Sequence, residues 1–288
     1  MSWNLYRWTW LLEGPLFVGH LPSGSLNRCR LYIPARAVWG AVTAALARST
    51  AEGFPDYHRV GRELQESVRF TYLYPAESFA DEWIAWLPEF EKGRGLSWKR
   101  EDCKGEPIED WLFRRRLLTT RPGIAIDPGS FTAAVGSLRE TECVADRWRR
   151  GPGASGSCDR VAYIGYFFIR DQKLGHLETI ERIFIGGDTR YGLGSMRRVD
   201  LSPDEAIFGR EVPPRMDRPI IKSINVLGHT RSPLALAGSR ETLRGWSNSK
   251  RTEIVSEDVL WGPGSVCDVE MHWRIDDSGI WLEDGETA

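Results

Sequence analysis

The chain begins with an alternation. From Trp3 to Phe17, Leu5, Arg7, Thr9 and Leu11 fall on one side of an extended backbone and Tyr6, Trp8, Trp10 and Leu12 on the other. That pattern predicts a strand, interrupted at Gly14-Pro15. Residues 21–27 read as a polar loop and Arg30 to Ile33 as a short apolar-basic segment. Pro34 predicts a helix start, since its missing N–H costs nothing in a first turn. Val38, Val42, Ala45 and Leu46 line one face of that helix, which should end near Ser49. Val68 to Tyr74 is rich in β-formers and predicts a second strand.

The texture then becomes polar and broken. Residues 76–112 hold Pro88, Gly93, Gly95, Gly105 and Pro107, yet also Trp83, Trp86, Trp98 and Trp111. They read as an inserted arm outside the core sheet, with a short helix from Phe79 to Leu87. Ser130 to Leu138 and Thr141 to Val144 predict a β-ribbon. Residues 151–157 read as a flexible linker, and Val161 to Ile169 as the most apolar strand. In Asp171 to Ile183, Leu174, Leu177, Ile180 and Ile183 recur at three-residue steps and predict a second helix. A glycine-rich stretch follows, and Ser195 to Leu201 predicts the next strand. Beyond Pro203 short strands are expected at Ile220–Leu227, Glu253–Leu260, Val266–Trp273 and Ile280–Leu282. The expected organisation is α+β. A ferredoxin-like (RRM-like) β-α-β-β-α-β domain spans residues 1–202, with the insertion at about 76–112, and a smaller β-rich unit spans 203–288.

The glycine-rich stretch, IGGDTRYGLGSMRR, is the densest in candidate chemistry. Gly186, Gly187, Gly192 and Gly194 permit positive φ and close backbone approach. Arg190, Arg197 and Arg198 add charge, and Tyr191 adds a stacking face. Exposed N–H groups beside arginines suit a phosphate backbone; a plain hairpin turn is the alternative. A Walker loop would need Gly-Lys-Ser/Thr ahead of a helix. A dinucleotide loop would follow a strand and open a helix. This stretch does neither. A cyclase-type Gly-Gly-Asp would need a second metal-binding carboxylate, where Thr189 stands.

Composition narrows the reading. A net charge of −2 gives no global basic field, so any nucleic-acid contact must use local patches such as Arg114-Arg115-Arg116, Arg147 with Arg149-Arg150, or Arg197-Arg198. Five scattered cysteines without Cys-x-x-Cys argue against a zinc knuckle or a disulfide framework. No signal peptide or membrane-length apolar run is apparent, so a cytoplasmic protein is expected. No cofactor and no metal site are expected.

Three stretches in order now carry a resemblance. Ile33-Pro34-Ala35-Arg36-Ala37-Val38-Trp39-Gly40-Ala41, the segment RPGIAIDPGSFTAAVGSLRETE (121–142), and the glycine-rich stretch together resemble the RAMP superfamily of CRISPR-associated proteins. The texture is that of the 5′-tag-binding subunits of type III effectors, of the Csm, Cmr or Csx type. Ala35 and Arg36 depart from the family's Gly and Ser, and Arg139 stands where an aromatic is usual. The resemblance implies a non-catalytic subunit that holds the 5′ tag of a crRNA. It also implies contacts with the polymerase-like large subunit and RAMP backbone subunits.

On that reading Arg36, Arg121, Arg139, Gly186, Gly187, Arg190, Tyr191, Gly192, Gly194, Arg197 and Arg198 contact RNA. Asp127 beside Arg121 would orient the guanidinium and hold no metal. The alternative is a metal-independent RAMP endoribonuclease that processes pre-crRNA. It would use a histidine as general acid-base, with His20 the candidate and His58 a poorer one. A protein scaffold without RNA contact is the third reading.

Overall fold

The computed structural model describes residues 3–149, 158–170, 175–212, 219–246 and 254–284. In chain order the first half holds β1 (Trp3–Leu12), β2 (Leu26–Asn27), α1 (Ala35–Ser49), α2 (Tyr57–Ser67), β3 (Val68–Phe70), β4 (Tyr74–Phe79), β5 (Glu82–Glu91), β6 (Gly95–Arg100), β7 (Ile108–Glu109), α3 (Asp110–Leu117), β8 (Leu118–Gly123) and β9 (Arg139–Val144). The second half holds β10 (Cys158–Arg170), β11 (Arg182–Phe184), β12 (Ser195–Asp204), β13 (Ala206–Ile207), β14 (Arg210–Glu211), β15 (Ile220–Asn225), β16 (Arg240–Trp246), β17 (Ile254–Trp261), β18 (Val266–Ile275) and β19 (Trp281–Glu283). The architecture is mixed α+β with antiparallel sheets and few helices.

The main sheet runs β11-β12-β1-β10-β4-β5-β6-β7, and β3 also pairs with β10. The alternation of β1 survives in the structure: it is antiparallel to both β10 and β12, with Trp8 and Trp10 almost wholly buried. Trp8 stands opposite Gly165 of β10. A Cβ on Gly165 would come within 2.3 Å of the Leu73 side chain and 2.8 Å of Tyr72 O, so glycine there admits the crossing chain. Helix α1 begins after Pro34, whose backbone is extended, and buries Val38, Val42 and Leu46. It ends where Thr50 N and Oγ1 both donate to Leu46 O. Helix α2 is absent from the pattern reading. Its signal is local: the Asp56 side chain caps it by accepting from Arg59 N at 3.0 Å.

The structure corrects several expectations. Residues 79–87 form no helix; they belong to the β4–β5 hairpin, and β6 extends the sheet. The turn joins the strands through Ala80 and Asp81, both at positive φ, without the Gly or Asn that normally announces such a turn. Trp86 and Trp98 are therefore core residues, with Trp83 half-buried against them. Trp98 stacks on Phe113 of α3, their centroids 4.6 Å apart. The second helix is also absent among the described residues. Residues Gly175–Thr179 make a single 3-10 turn and 182–184 become β11. A three-residue step is the period of a 3-10 turn as much as of a helix face, so buried Leu177, Ile180 and Ile183 misled the pattern. Strand β9 starts at Arg139, so Ser130–Leu138 is loop, closed by an Ile126–Ala133 bridge. The expected linker 151–157 and Leu174 lie outside the described residues.

The C-terminal strands form β15-β18-β19, β16-β17 and β13-β14. Ile221, Val226, Leu227, Trp273 and Trp281 belong to the same continuous hydrophobic cluster as Trp8, Phe70 and Phe167. The turn at Gly279 seats against α1: a Cβ there would lie 2.1 Å from Ala35 Cβ. No helix among the described residues is long and apolar enough to cross a membrane.

Candidate nucleic-acid interface

The glycine-rich loop is wrapped around residues 13–17. Glu13 N donates to Ser195 O, Gly187 N to Phe17 O and Gly194 N to Pro15 O, at 2.8–2.9 Å. Leu16 in turn exchanges both backbone hydrogen bonds with Val144 of β9 at 2.8 Å. The loop, the 13–17 segment and the β8–β9 ribbon thus form one hydrogen-bonded stack.

The glycines are used unequally. Gly186, Gly192 and Gly194 all have positive φ. A Cβ on Gly186 would lie 2.2 Å from Phe17 O, and one on Gly194 1.9 Å from Ile185 O. A Cβ on Gly187 would meet the Phe17 ring at 2.9 Å. These contacts are with the protein's own atoms. The expectation of bare N–H groups fails for Gly187 and Gly194, and also for Tyr191 and Gly192, whose amides bond Asp188 O and Thr189 O. Gly192 has nothing within 4 Å of its Cβ position and is the glycine open to an incoming group.

The loop also presents side chains. Tyr191 is 69% exposed, and the Arg139 guanidinium lies over its ring, 5.6 Å from the centroid. In the ribbon, Arg139 pairs with Gly123 and Arg121 with Thr141, which puts both arginines on the same face. Cys143, two residues further along that face, feels Arg121 and Asp188 of the loop together. Arg121, Arg139 and Arg190 are exposed. The structure therefore brings together a stacking ring and arginines from two distant stretches.

Other candidates are placed elsewhere. Arg197 approaches Glu13 at 3.5 Å, and the same carboxylate holds Arg182 at 2.8 Å and Ser195 Oγ at 3.0 Å. Arg198 donates to Leu177 O and Glu178 O at 3.0 and 2.7 Å and clamps the 3-10 turn. Arg36 sits half-buried under the influence of Asp276 and Asp277 of the C-terminal turn. Asp127 does not orient Arg121: its Oδ1 accepts from Gly129 N, Ser130 N and Ser130 Oγ at 3.0, 2.8 and 2.9 Å. Of the 114–116 run, Arg114 pairs with Asp110 at 2.8 Å and Arg116 with buried Glu77 at 2.8 Å, leaving Arg115 exposed.

His20 belongs to a cluster that sequence reasoning missed. Its Nε2 donates to Glu241 Oε2 at 2.8 Å, and His229 Nε2 donates to Oε1 at 2.9 Å. Arg30 and Tyr32 donate to the same carboxylate. Tyr72 OH lies 2.6 Å from His229 Nδ1, which fits a neutral imidazole accepting there. Burial pushes the Glu241 carboxyl up, but its donors His20, His229 and Arg30 outweigh this and hold it well below the usual range. Burial likewise pulls the His229 imidazole down, against the opposing Glu241 charge. The partners are up to 221 residues apart in sequence, so no motif could announce them. Among the described residues no group of three His, Cys, Asp or Glu is placed to hold a metal.

This arrangement of strands has solved counterparts. The chain shares its fold with chains of two cryo-EM structures of a type III-B effector. One is the type III-B Cmr-beta bound to cognate target RNA and AMPPnP, state 1, at 14% identity and TM-score 0.52, covering 91% of this chain and 85% of that one. The other is the type III-B Cmr-beta bound to cognate target RNA, at 16% identity and TM-score 0.52, covering 90% and 85%. No protein-family model and no curated protein sequence matches the chain.

Proposed function

We propose that this chain is a non-catalytic crRNA-binding subunit of a type III CRISPR effector. It holds the 5′ tag of the guide and contacts the polymerase-like large subunit and the RAMP backbone subunits. The observation that carries the reading is the surface where Arg139 lies on Tyr191 beside Arg121 and Arg190. Arginine and an exposed ring together suit a single strand, the ring stacking on a base and the arginines holding phosphates. The fold likeness to chains of RNA-bound Cmr-beta structures supports it. So does the strand order β12-β1-β10-β3, which follows the fourth-first-third-second order of a ferredoxin-like sheet, with a 3-10 turn among the described residues where its second helix would stand.

The non-catalytic part of the reading rests on His20. Its Nε2 is occupied by Glu241, whose oxygens are already shared among four donor side chains. A general acid-base would need that nitrogen, or a similarly poised one, free to face a scissile phosphate. The test is fluorescence anisotropy with the repeat-derived tag RNA across a salt series, alongside cleavage of the repeat RNA without metal. Tyr191→Ala should weaken binding by about 1–3 kcal/mol, and no cleavage should be seen. Unchanged affinity in folded Tyr191→Ala and Arg139→Ala variants would overturn the RNA surface. Cleavage lost in His20→Ala would overturn the non-catalytic assignment.

A further inference from the structure

At the amino end of β1 the main sheet carries a group of arginines. Trp3 stands opposite Arg170 in the β1–β10 pair, and Arg69 opposite Phe168 in the β3–β10 pair. Side-chain alternation therefore sets Trp3, Arg69 and Arg170 on one face. The Arg69 and Arg170 guanidinium groups both lie on the Trp3 ring, 5.3 and 5.2 Å from its centroid. The C-terminal strands add a third. Arg274 is next to last in β18, and the turn that follows packs on β3, where a Cβ on Gly279 would lie 3.3 Å from Phe70 O.

These charges are poorly matched. Arg69 Nη1 donates to Val68 O at 2.9 Å and to Gln65 O, both neutral acceptors. Arg274 keeps a buried Nε without an acceptor. Among the described residues no carboxylate oxygen comes within 4.0 Å of the nitrogens of Arg69, Arg170 or Arg274. Burial is the main force pulling the Arg69 pKa down; Asp277 and Asp276 oppose it, and Arg170 and Arg274 add to it. With Arg36, four arginines thus stand near two carboxylates. Asp276 commits Oδ1 to Ser278 N, Ser278 Oγ and Ile280 N at 2.9, 2.7 and 2.8 Å, which leaves Asp277 as the exposed counter-charge. Gathering half-buried cations is costly, and an arriving polyanion relieves the cost.

The group lies at the other end of β1 from the glycine-rich loop. That strand runs ten residues from Trp3 to Leu12, so roughly 30 Å separates the two surfaces. Their chemistry differs too. Trp3 is half-buried where Tyr191 is exposed, so here the arginines rather than a ring face a ligand. Several guanidinium groups around one exposed acid suit the closely spaced charges of a phosphodiester chain. A single peptide carboxylate would satisfy only one of them.

We infer that this arginine group is a second, sequence-independent site for the phosphate backbone of RNA, with Arg69, Arg170 and Arg274 facing its phosphates. It goes beyond the tag-holding reading and does not need the Tyr191 surface.

The experiment uses the full chain and fluorescein-labelled oligouridine, which carries no repeat sequence. The tag surface is first disabled by Tyr191→Ala with Arg139→Ala. In that background anisotropy should still show salt-sensitive binding, and oligocytidine should bind alike. Arg170→Gln and Arg274→Gln should each weaken it by about fivefold and lower the salt slope by about one. Asp277→Asn removes the exposed acid and should tighten binding by about twofold. Arg170 and Asp277 are exposed, so these two variants leave the fold intact, with the urea midpoint as the check. Loss of all oligouridine binding in the disabled background would overturn the second site, as would unchanged affinity in both arginine variants. Tighter binding of a polyglutamate peptide than of oligouridine would also overturn it, as would full displacement by millimolar inorganic phosphate. If the Tyr191 and Arg139 substitutions change nothing while Arg170→Gln weakens binding, the tag surface fails and this site stands.

Discussion

Glu241→Gln tests the buried carboxylate cluster most directly. Glu241 is 13% exposed and Arg30 only 6%, so the substitution leaves Arg30 with no formal charge opposite it. Breaking one side of a buried pair typically costs about 3–5 kcal/mol. Glutamine keeps one acceptor oxygen, so a value near 3 kcal/mol is expected. In a chain of this size each kcal/mol moves Tm by roughly 2–4 °C, which places the fall at about 6–12 °C. The assay is urea unfolding followed by tryptophan fluorescence, with Arg30→Met and the double variant completing a cycle. The double variant should recover part of the loss, because the orphaned cation is gone.

The pH dependence carries the same signature. The Glu241 and His229 pKa values both lie below their ordinary values in the folded chain. A depressed folded pKa gives stability that is full above the unfolded value and declines as pH falls. Loss should therefore begin near pH 6.5 with His229 and deepen below about pH 4.3 with Glu241. A Glu241→Gln variant within 1 kcal/mol of the unmodified chain, with an unaltered acid limb, would refute the argument.

The remaining predictions are local. Gly194→Ala should destabilise by about 2–5 kcal/mol, from left-handed strain and a clash with Ile185 O, while Gly192→Ala should cost only about 1–2 kcal/mol; equal unfolding curves would contradict the packing account. Trp98→Ala should cost about 3–5 kcal/mol in the free chain, checked by urea midpoint, because the ring stacks inside the core. Arg121→Ala should lower the salt slope of RNA binding by about one, whereas Asp127→Ala, which only loosens its own loop, should leave the slope and the unfolding midpoint unchanged.

Legibility followed sequence distance. Strand β1, helix α1 and strand β12 were readable because each is one alternation or one helical face with a clear start. The 79–87 segment was not, since its two-residue turn puts Ala80 at positive φ with no Gly or Asn to mark it, and its tryptophans sit among Pro and Gly. Residues 175–183 failed because three-residue spacing serves a 3-10 turn as well as a helix, and Leu177 lies in such a turn while Ile183 lies in a strand. The candidate surface was half legible. Arg121, Arg139 and Tyr191 could be chosen from the sequence, but not that Arg139 would lie on Tyr191. Arg36 came from the resemblance and Arg197 and Arg198 from charge; the acceptors Glu13 of Arg197 and Leu177 O of Arg198 are distant in sequence or lie on the backbone.

The position of β1 has a consequence for synthesis. It is made well before its two partners, β10, which begins at Cys158, and β12, which begins at Ser195. At 5–20 residues per second this Trp-rich strand waits roughly seven to thirty seconds for either neighbour. Such an unpaired apolar strand is the segment most open to mispairing between nascent chains. Slower elongation upstream of β10 should therefore lower soluble yield, while slower elongation after β12 should leave it little changed.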